Sequence, residues 1–195
     1  MVRADDRDWP AILTWRSHDV TRLESTRIHL SGSRIRAVGR IVAARSGTNP
    51  AFSASYDLVT DDRGVTKRLS LDVTLADRDR QLSIARDEES KWLISGYEGE
   101  SRGDYGGAMD VDVVLSPFFN ALPIRRLGLH RAAESVRVPV LYVNLPELTV
   151  APVTISYTST GPGSGIKLVS PVADTTVVVD DNGFILDYPG LAERI

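Results

Sequence analysis

The stretch VTKRLSLDVTL, residues 65–75, decides the fold class, because it alternates between apolar and polar residues. Successive side chains of a β-strand point to opposite faces of the sheet. One face is predicted to carry Val65, Lys67, Leu69, Leu71, Val73 and Leu75. The other face is predicted to carry Thr66, Arg68, Ser70, Asp72 and Thr74. This period of two is typical of a half-buried strand with its apolar face on the core.

The segments on either side of this strand extend the pattern over the chain. The turn DDRG, residues 61–64, joins it to ASYDLV, residues 54–59, in a predicted hairpin. Near the other end, the pair Asn182–Gly183 is a strong two-residue hairpin signal. Turn signals recur about every 8–12 residues without long helical patterns between them, which favours an antiparallel sandwich, barrel or roll. We therefore predict one all-β, mainly antiparallel domain over residues 1–195.

The segment DVDVVLSPFFNALPIRRL, residues 110–127, interrupts the succession of strands. Ser116 followed by Pro117 is a helix start, with a capping hydroxyl before a proline at the first helical position. Phe118 and Leu122 would then share one face of a short helix. We predict a short helical plug around residues 116–127. Two roles stay open for it: it closes the core, or it lines one end of a cavity for an apolar ligand.

Charged residues flank this plug on both sides. Asp110 and Asp112 fall on the same side of the preceding strand, with Cα atoms about 6.6 Å apart at the usual rise per residue. Arg125 and Arg126 follow at its end. Three interpretations stay open. Both acids face water, or the arginines return to pair with them, or acids and arginines together form the polar mouth of a pocket for a sugar or another headgroup.

Composition excludes several classes of function. The 195 residues carry a net charge of −3, which argues against a general attraction to nucleic acid or to anionic membranes. Cysteine is absent, so disulfides and thiolate chemistry are excluded, and the three histidines lack metal-ligand spacing. We expect no metal and no cofactor. The charged first ten residues do not have the apolar core of a signal peptide, and no segment is long enough to span a membrane, so we expect a cytoplasmic protein without stable membrane insertion.

Two other classes of function compete with ligand binding. Asp110 and Asp112 could act as the acid pair of a glycan hydrolase, since glycosidases use two carboxyl groups flanking the bond that they cleave. The tract SHD, residues 17–19, contains the residue types of a catalytic triad, but adjacent residues cannot converge on one proton-transfer line. An open sheet edge could instead make the protein an interaction module, as a monomer or a homodimer. We expect a protein that is not an enzyme.

The segment 110–127 also resembles the signature of the putative glycolipid-binding family. In that family an acidic strand runs into a Thr-Pro-Phe-Thr-Asn-Thr-Leu-Pro-Ile-Arg-Arg-Leu type of segment. Ser116, Phe119 and Ala121 stand where the family has threonines, which makes this corner less polar. Trp15 resembles the early tryptophan of the family, and Leu23 and Glu24 resemble its Leu–Glu pair. The positions that match the signature are Pro117, Phe118, Asn120, Leu122, Pro123, Ile124, Arg125, Arg126 and Leu127.

The resemblance implies a spiral β-roll or half-open barrel, similar to bacterial carriers that shuttle lipoproteins across the periplasm. It further implies non-catalytic binding of an apolar or amphiphilic ligand, such as a lipid or a glycolipid, in the concave face of the curved sheet. The predicted ligand-binding residues combine the charged and apolar positions of the signature with apolar residues of the neighbouring strands. They are Asp110, Asp112, Phe118, Asn120, Leu122, Arg125, Arg126, Trp92, Leu71 and Val73.

Overall fold

The structure, a computed structural model, describes residues 9–195 and consists mostly of β-strands. One α-helix, α1 (Pro117–Arg126), and one 3₁₀ turn, Tyr105–Gly107, lie between the strands. The strands are β1 (Ala11–Ser17), β2 (Arg22–Ser31), β3 (Arg34–Ala43), β4 (Phe52–Thr60), β5 (Thr66–Thr74), β6 (Asp79–Arg86), β7 (Trp92–Gly96), β8 (Gly99–Gly103), β9 (Asp110–Val113), β10 (Glu134–Val143), β11 (Val150–Ser159), β12 (Ile166–Val169), β13 (Asp174–Val179), β14 (Ile185–Tyr188) and β15 (Ala192–Arg194).

All these strands belong to one sheet in the order β8-β7-β6-β5-β4-β3-β2-β1-β15-β14-β13-β12-β11-β10-β9. The first and last strands pair in its middle, and β8 and β9 form its two edges, so the sheet is not closed into a barrel. Neighbouring strands are antiparallel except β9 and β10, which run parallel because α1 lies on the connection between them. The prediction of an all-β, mainly antiparallel roll with a short helix near residues 116–127 is confirmed.

The strand that decides the fold class alternates as predicted along most of its length. Leu69, Leu71 and Val73 are buried, and the intervening side chains lie closer to solvent. The prediction for Lys67 is wrong, since it is exposed, and Thr66 is buried in its place. The cause is a register shift in the hairpin: Thr60 pairs with Thr66 and Val59 pairs with Arg68. Lys67 is the extra residue of a β-bulge, which reverses the faces at this end of the strand.

Helix α1 fills the interior of the roll. Its residues from Pro117 to Ile124 are all buried. The Phe118 ring stacks between Tyr56 and Phe184, with centroid distances of 5.8 and 6.3 Å. Phe118, Phe119 and Leu122 belong to the main hydrophobic core, and Ile124 belongs to a second core between α1 and strands β10 to β14. The helix therefore closes the core, as the first of the two interpretations of this plug expected.

A buried carboxyl group holds the start of this helix. Glu24 of β2 accepts hydrogen bonds from the Ser116 and Tyr56 hydroxyls, both at 2.6 Å, and from the backbone N–H of Phe118. The predicted cap is therefore corrected: Ser116 occupies the N-cap position, but its hydroxyl bonds to Glu24 instead of the helix backbone. Burial raises the pKa of Glu24 to about 7. Gly39 leaves room for the Tyr56 ring, since a Cβ atom there would lie 2.1 Å from Tyr56 Cζ.

Candidate functional site

A cavity of about 410 Å³ opens beside the first turns of α1, between the end of β9 and the strands that follow β11. Its size lies within the usual range of small-molecule sites, about 300–1,000 Å³. Polar groups and apolar side chains share its wall. We call it the Asp112 cavity, and the residues on which the argument depends are Asp112, Leu115, Asn120, Tyr142, Val172 and Tyr188.

Asp112 is the most unusual group of this cavity. Only 8% of the residue is exposed, and within residues 9–195 no hydrogen bond or ion pair reaches its carboxyl group. Burial raises its pKa to about 7, and the negative charge of nearby Asp110 adds to the increase. Burying a carboxylate is unfavourable unless donors surround it. A ligand that donates a hydrogen bond into this cavity would remove that cost.

Two tyrosines and one asparagine line the cavity together with Asp112. Tyr142 pairs with Asp112 across the parallel strands β9 and β10, and Tyr188 approaches from the end of β14. Burial, and next the Asp112 charge, raise the pKa of Tyr142 to about 12 and raise that of Tyr188 as well. Asn120 adds an amide from the second turn of α1. Phenol and amide groups both donate and accept hydrogen bonds, so the cavity suits a neutral, hydroxylated group.

A second cavity, of about 310 Å³, adjoins the first, and its wall is mostly apolar but includes Asp19 and Arg22. We call it the apolar cavity, and its own wall includes Val20, Phe52, Leu145 and Pro146. The two cavities share the wall residues Val114, Leu115, Gly190 and Leu191. Leu115 has a φ of 76°, a left-handed conformation that is rare for a leucine. Strained residues of this kind cluster at functional sites, and this one belongs to the wall that the two cavities share.

Asp110 does not line either cavity, although it is only two residues from Asp112. Arg126 Nη2 donates to its Oδ2 at 2.7 Å, and Arg126 Nε donates to both carboxyl oxygens at 3.2 Å. The Asp110 side chain is completely buried and that of Arg126 is 14% exposed. The interpretation that both acids face water is therefore wrong. The interpretation that the arginines pair with the acids is correct for Arg126 and Asp110 and is wrong for Asp112.

The other predicted polar residue, Arg125, lies at the far end of α1. One of its Nη atoms donates to the backbone oxygen of Asn182, and its guanidinium group lies 5.0 Å from the centre of the Phe184 ring. Together with Leu122 and Arg126 it lines a smaller cavity of about 210 Å³. The structure therefore divides the predicted polar residues between the two ends of the helix, with Asp112 and Asn120 at one end and the arginines at the other.

Five predicted ligand-binding residues lie inside the hydrophobic core. Each is at most 1% exposed, and they are Leu71, Val73, Trp92, Phe118 and Leu122. The Trp92 indole N–H donates to the backbone oxygen of Ala108, which completes its hydrogen bonding. The concave face, in which the resemblance implied ligand binding, is filled at these positions by α1 and by facing side chains. These residues leave almost no surface on which a ligand could lie.

The sequence analysis did not identify the tyrosines of the site. Tyr142 and Tyr188 end the predicted strand segments SVRVPVLYV and FILDY. Nothing in those segments indicates that both hydroxyls lie near Asp112. The parallel pairing of β9 with β10 brings Tyr142 beside Asp112, and a single sequence does not reveal that pairing. Leu115 was also missed, because its φ is set by the turn between β9 and α1.

The fold and the site define the class: an open β-roll that is filled by a short helix and carries two adjoining cavities at the start of that helix. The chain belongs to the putative glycolipid-binding family, whose model matches residues 12–194, and the resemblance found in the sequence is thereby confirmed. A solved structure of a DUF1089 family protein from Pseudomonas aeruginosa is similar, with a TM-score of 0.71. The two chains are 24% identical, over 93% of this chain and 95% of that one, and the likeness concerns the fold alone. No curated protein matches the sequence.

None of the helices within residues 9–195 has both the length and the apolar character that crossing a bilayer requires.

Proposed function

We propose that this protein binds an amphiphilic, glycolipid-like ligand and does not change it chemically. The hydroxylated end lies in the Asp112 cavity and the hydrocarbon end lies in the apolar cavity. The observation that carries the proposal is the carboxyl group of Asp112, which is buried, faces a cavity and has no partner within the described residues. The shared wall at Leu115 and Leu191 supports a single ligand that occupies both cavities.

Binding with micromolar affinity requires contacts from both ends of the ligand. A hydrogen bond to a charged group contributes about 1.5–3 kcal/mol, and each buried methylene contributes about 0.8 kcal/mol. Micromolar affinity corresponds to about 8 kcal/mol after association costs of about 4–15 kcal/mol have been met. A free sugar therefore binds weakly, and so does a short hydrocarbon without a headgroup. An alkyl glycoside combines the two contributions.

The proposal of binding without catalysis rests on the state of the two acids. Glycosidases use a pair of carboxyl groups, one of them as an acid. Here Arg126 occupies both oxygens of Asp110, and Asp174, the other acid on the wall of the Asp112 cavity, is exposed and pairs with Lys167. We expect no turnover of a panel of aryl glycosides by the purified protein. Hydrolysis that disappears in the Asp112→Asn variant would contradict this part of the proposal.

Replacing Asp112 with leucine is expected to weaken the binding of an octyl glucoside by about 10- to 100-fold, the loss of a hydrogen bond to a charged group. Isothermal titration calorimetry at neutral pH measures the affinity. The Asp62→Leu variant is the matched control, because Asp62 is exposed in the turn between β4 and β5 and lies outside both cavities. Equal affinities of the Asp112→Leu variant and the unchanged protein would place the headgroup elsewhere.

The stability of the protein is expected to fall as the pH rises from about 5 to 8. The pKa of Asp112 is raised to about 7 in the folded protein, so folding favours the protonated acid and this contribution is lost as the pH rises through 7. Glu24, whose pKa is also raised to about 7, acts in the same direction. Denaturation in urea is expected to show a loss on the order of 2–3 kcal/mol from Asp112 over this range.

The Asp112→Asn variant provides the control for this pH dependence. The amide does not titrate, so the variant is expected to retain only the part of the dependence that comes from Glu24 and the other acids. The same slope in both proteins would show that Asp112 is not buried as a neutral acid, and would remove the main support for the Asp112 cavity as a binding site.

A further inference from the structure

The outer face of β1, β2 and β3 is both basic and apolar. Five arginines point outward from these strands, of which Arg16 pairs with Glu193. Four large apolar side chains lie exposed among the other four. The apolar side chains are exposed by between 38% and 68%, a high degree for residues of this size. We call this surface the basic–apolar face, and it consists of Ile12, Leu23, Arg27, Arg34, Arg36, Val38, Arg40 and Val42.

The strand register makes these residues one continuous patch. Leu23 pairs with Val42 across β2 and β3, and two residues further along β2 the Ser25–Arg40 pair places an arginine beside them. Arg27 stands between Ile12 of β1 and Val38 of β3. Cross-strand neighbours lie about 4.5–5.5 Å apart at their Cβ atoms. Positive charge and apolar surface therefore alternate over neighbouring positions of this face.

The four arginines of this face have no acidic partner in the described part of the chain, and the neighbouring Asp57 of β4, which stands beside Val38, pairs with Arg68. Within residues 9–195, Arg27, Arg34, Arg36 and Arg40 make no ion pair and no side-chain hydrogen bond. No aspartate or glutamate points outward from β1, β2 or β3, because Glu24 is buried on the inner side. The net charge of −3 predicted no general attraction to anionic surfaces, but that average conceals a strongly positive surface.

The apolar cavity opens at one end of the same strands. Val42 and Leu23 are next in the chain to Ala43 and Arg22, which line that cavity from the inner side of the sheet. Successive strand residues point to opposite faces, so the basic–apolar face and the cavity lie on opposite sides of this end of the sheet. A bilayer fits the face itself, because anionic headgroups attract the arginines and the apolar side chains enter the interface between headgroups and acyl chains.

We propose that the basic–apolar face docks the protein on a membrane surface that is rich in anionic lipids. Nucleic acid is a poorer match for this chemistry, since binding to single strands depends on aromatic stacking and the face carries no aromatic residue. The docking does not depend on the ligand proposed above. Binding to vesicles without binding to an alkyl glycoside would support the membrane docking and contradict the proposed ligand site. Binding to an alkyl glycoside without binding to vesicles would support the ligand site and contradict the docking.

Co-sedimentation with vesicles tests the docking. The protein is expected to bind vesicles of phosphatidylcholine mixed with phosphatidylglycerol, and to be released from them at high salt. Each arginine near an anionic surface contributes about 1 kcal/mol, or about fivefold in affinity, so the Arg36→Gln/Arg40→Gln variant is expected to bind about 25-fold more weakly. The Lys67→Gln/Arg137→Gln variant removes the same charge from exposed positions outside the face and is expected to bind as the unchanged protein does.

The fluorescence of a Val42→Trp variant tests the apolar part of the face. Its emission is expected to shift to shorter wavelength when mixed vesicles are added, because the new indole leaves water for the bilayer interface. Equal binding to vesicles of phosphatidylcholine alone, or equal losses in the two double variants, would overturn the proposal. Binding to a short DNA duplex without any binding to mixed vesicles would overturn it as well.

Discussion

Replacing Arg126 with methionine is expected to lower the free energy of unfolding by about 3–5 kcal/mol, because it leaves a buried charge without its partner. The Asp110 side chain is completely buried, and three hydrogen bonds from Arg126 are the contacts that compensate its charge. Burial already raises the pKa of Asp110, and Arg126 counteracts that increase. Without the arginine, Asp110 is expected to become protonated, so the loss of stability grows as the pH rises. Urea denaturation at two pH values measures both effects.

The double variant Asp110→Leu/Arg126→Met is the control for this prediction. Replacement of a buried ion pair by apolar residues of similar volume is often neutral or stabilising. We therefore expect the double variant to regain most of the stability that the single variant loses. The account of this pair would be wrong if Arg126→Met alone left stability unchanged, or if the double variant were less stable than the single one.

Replacing Phe118 with alanine is expected to cost about 3–5 kcal/mol, the usual range for a fully buried phenylalanine. Phe118 has no exposed surface and stacks between Tyr56 and Phe184 inside the roll. Its loss would leave an empty space where α1 meets the sheet. Thermal or urea denaturation measures the loss of stability.

The Phe118→Leu variant keeps much of the volume and is expected to retain most of the stability, since substitutions that nearly conserve volume usually cost less than about 1.5 kcal/mol. If the alanine variant were as stable as the leucine variant, α1 would not be packed as described. Phe118 would then be free to contact a ligand, as the sequence analysis predicted for it.

Local features of the fold could be read from the sequence because they depend on neighbouring residues. Alternation along residues 65–75 predicts a strand, and the Ser116–Pro117 pair predicts the start of α1. The prediction for Lys67 is wrong because it used neighbouring residues alone. Its face is set by a bulge against β4, and the alternation of β5 alone does not contain that information.

The candidate site depends on contacts between distant parts of the chain. Asp112 and Asn120 could be proposed from one segment, and the structure places both on the same cavity. Tyr142 and Tyr188 join them only through the strand order, in which β9 pairs with β10 and β14 follows later in the same sheet. The two arginines of that segment lie at the other end of α1, because the helix carries them away from Asp112.

The site therefore differs in position from the one that the sequence suggests. The interior of the roll beside Leu71, Val73 and Trp92 is filled with side chains. The two adjoining cavities lie at the start of α1, where Leu115 belongs to the wall of both. We still propose an amphiphilic ligand for this position, but the residues that would contact it differ from those that the sequence predicted.

Photo-crosslinking locates the ligand most directly. An alkyl glucoside with a diazirine at the end of its chain is irradiated with the protein, and the labelled peptides are identified by mass spectrometry. We predict label on peptides that contain Phe52, Leu115, Leu145 or Leu191, which an excess of unlabelled octyl glucoside reduces. Label that the competitor does not reduce, or that falls on β6 and β7 instead, would contradict the proposal that the two adjoining cavities hold the ligand.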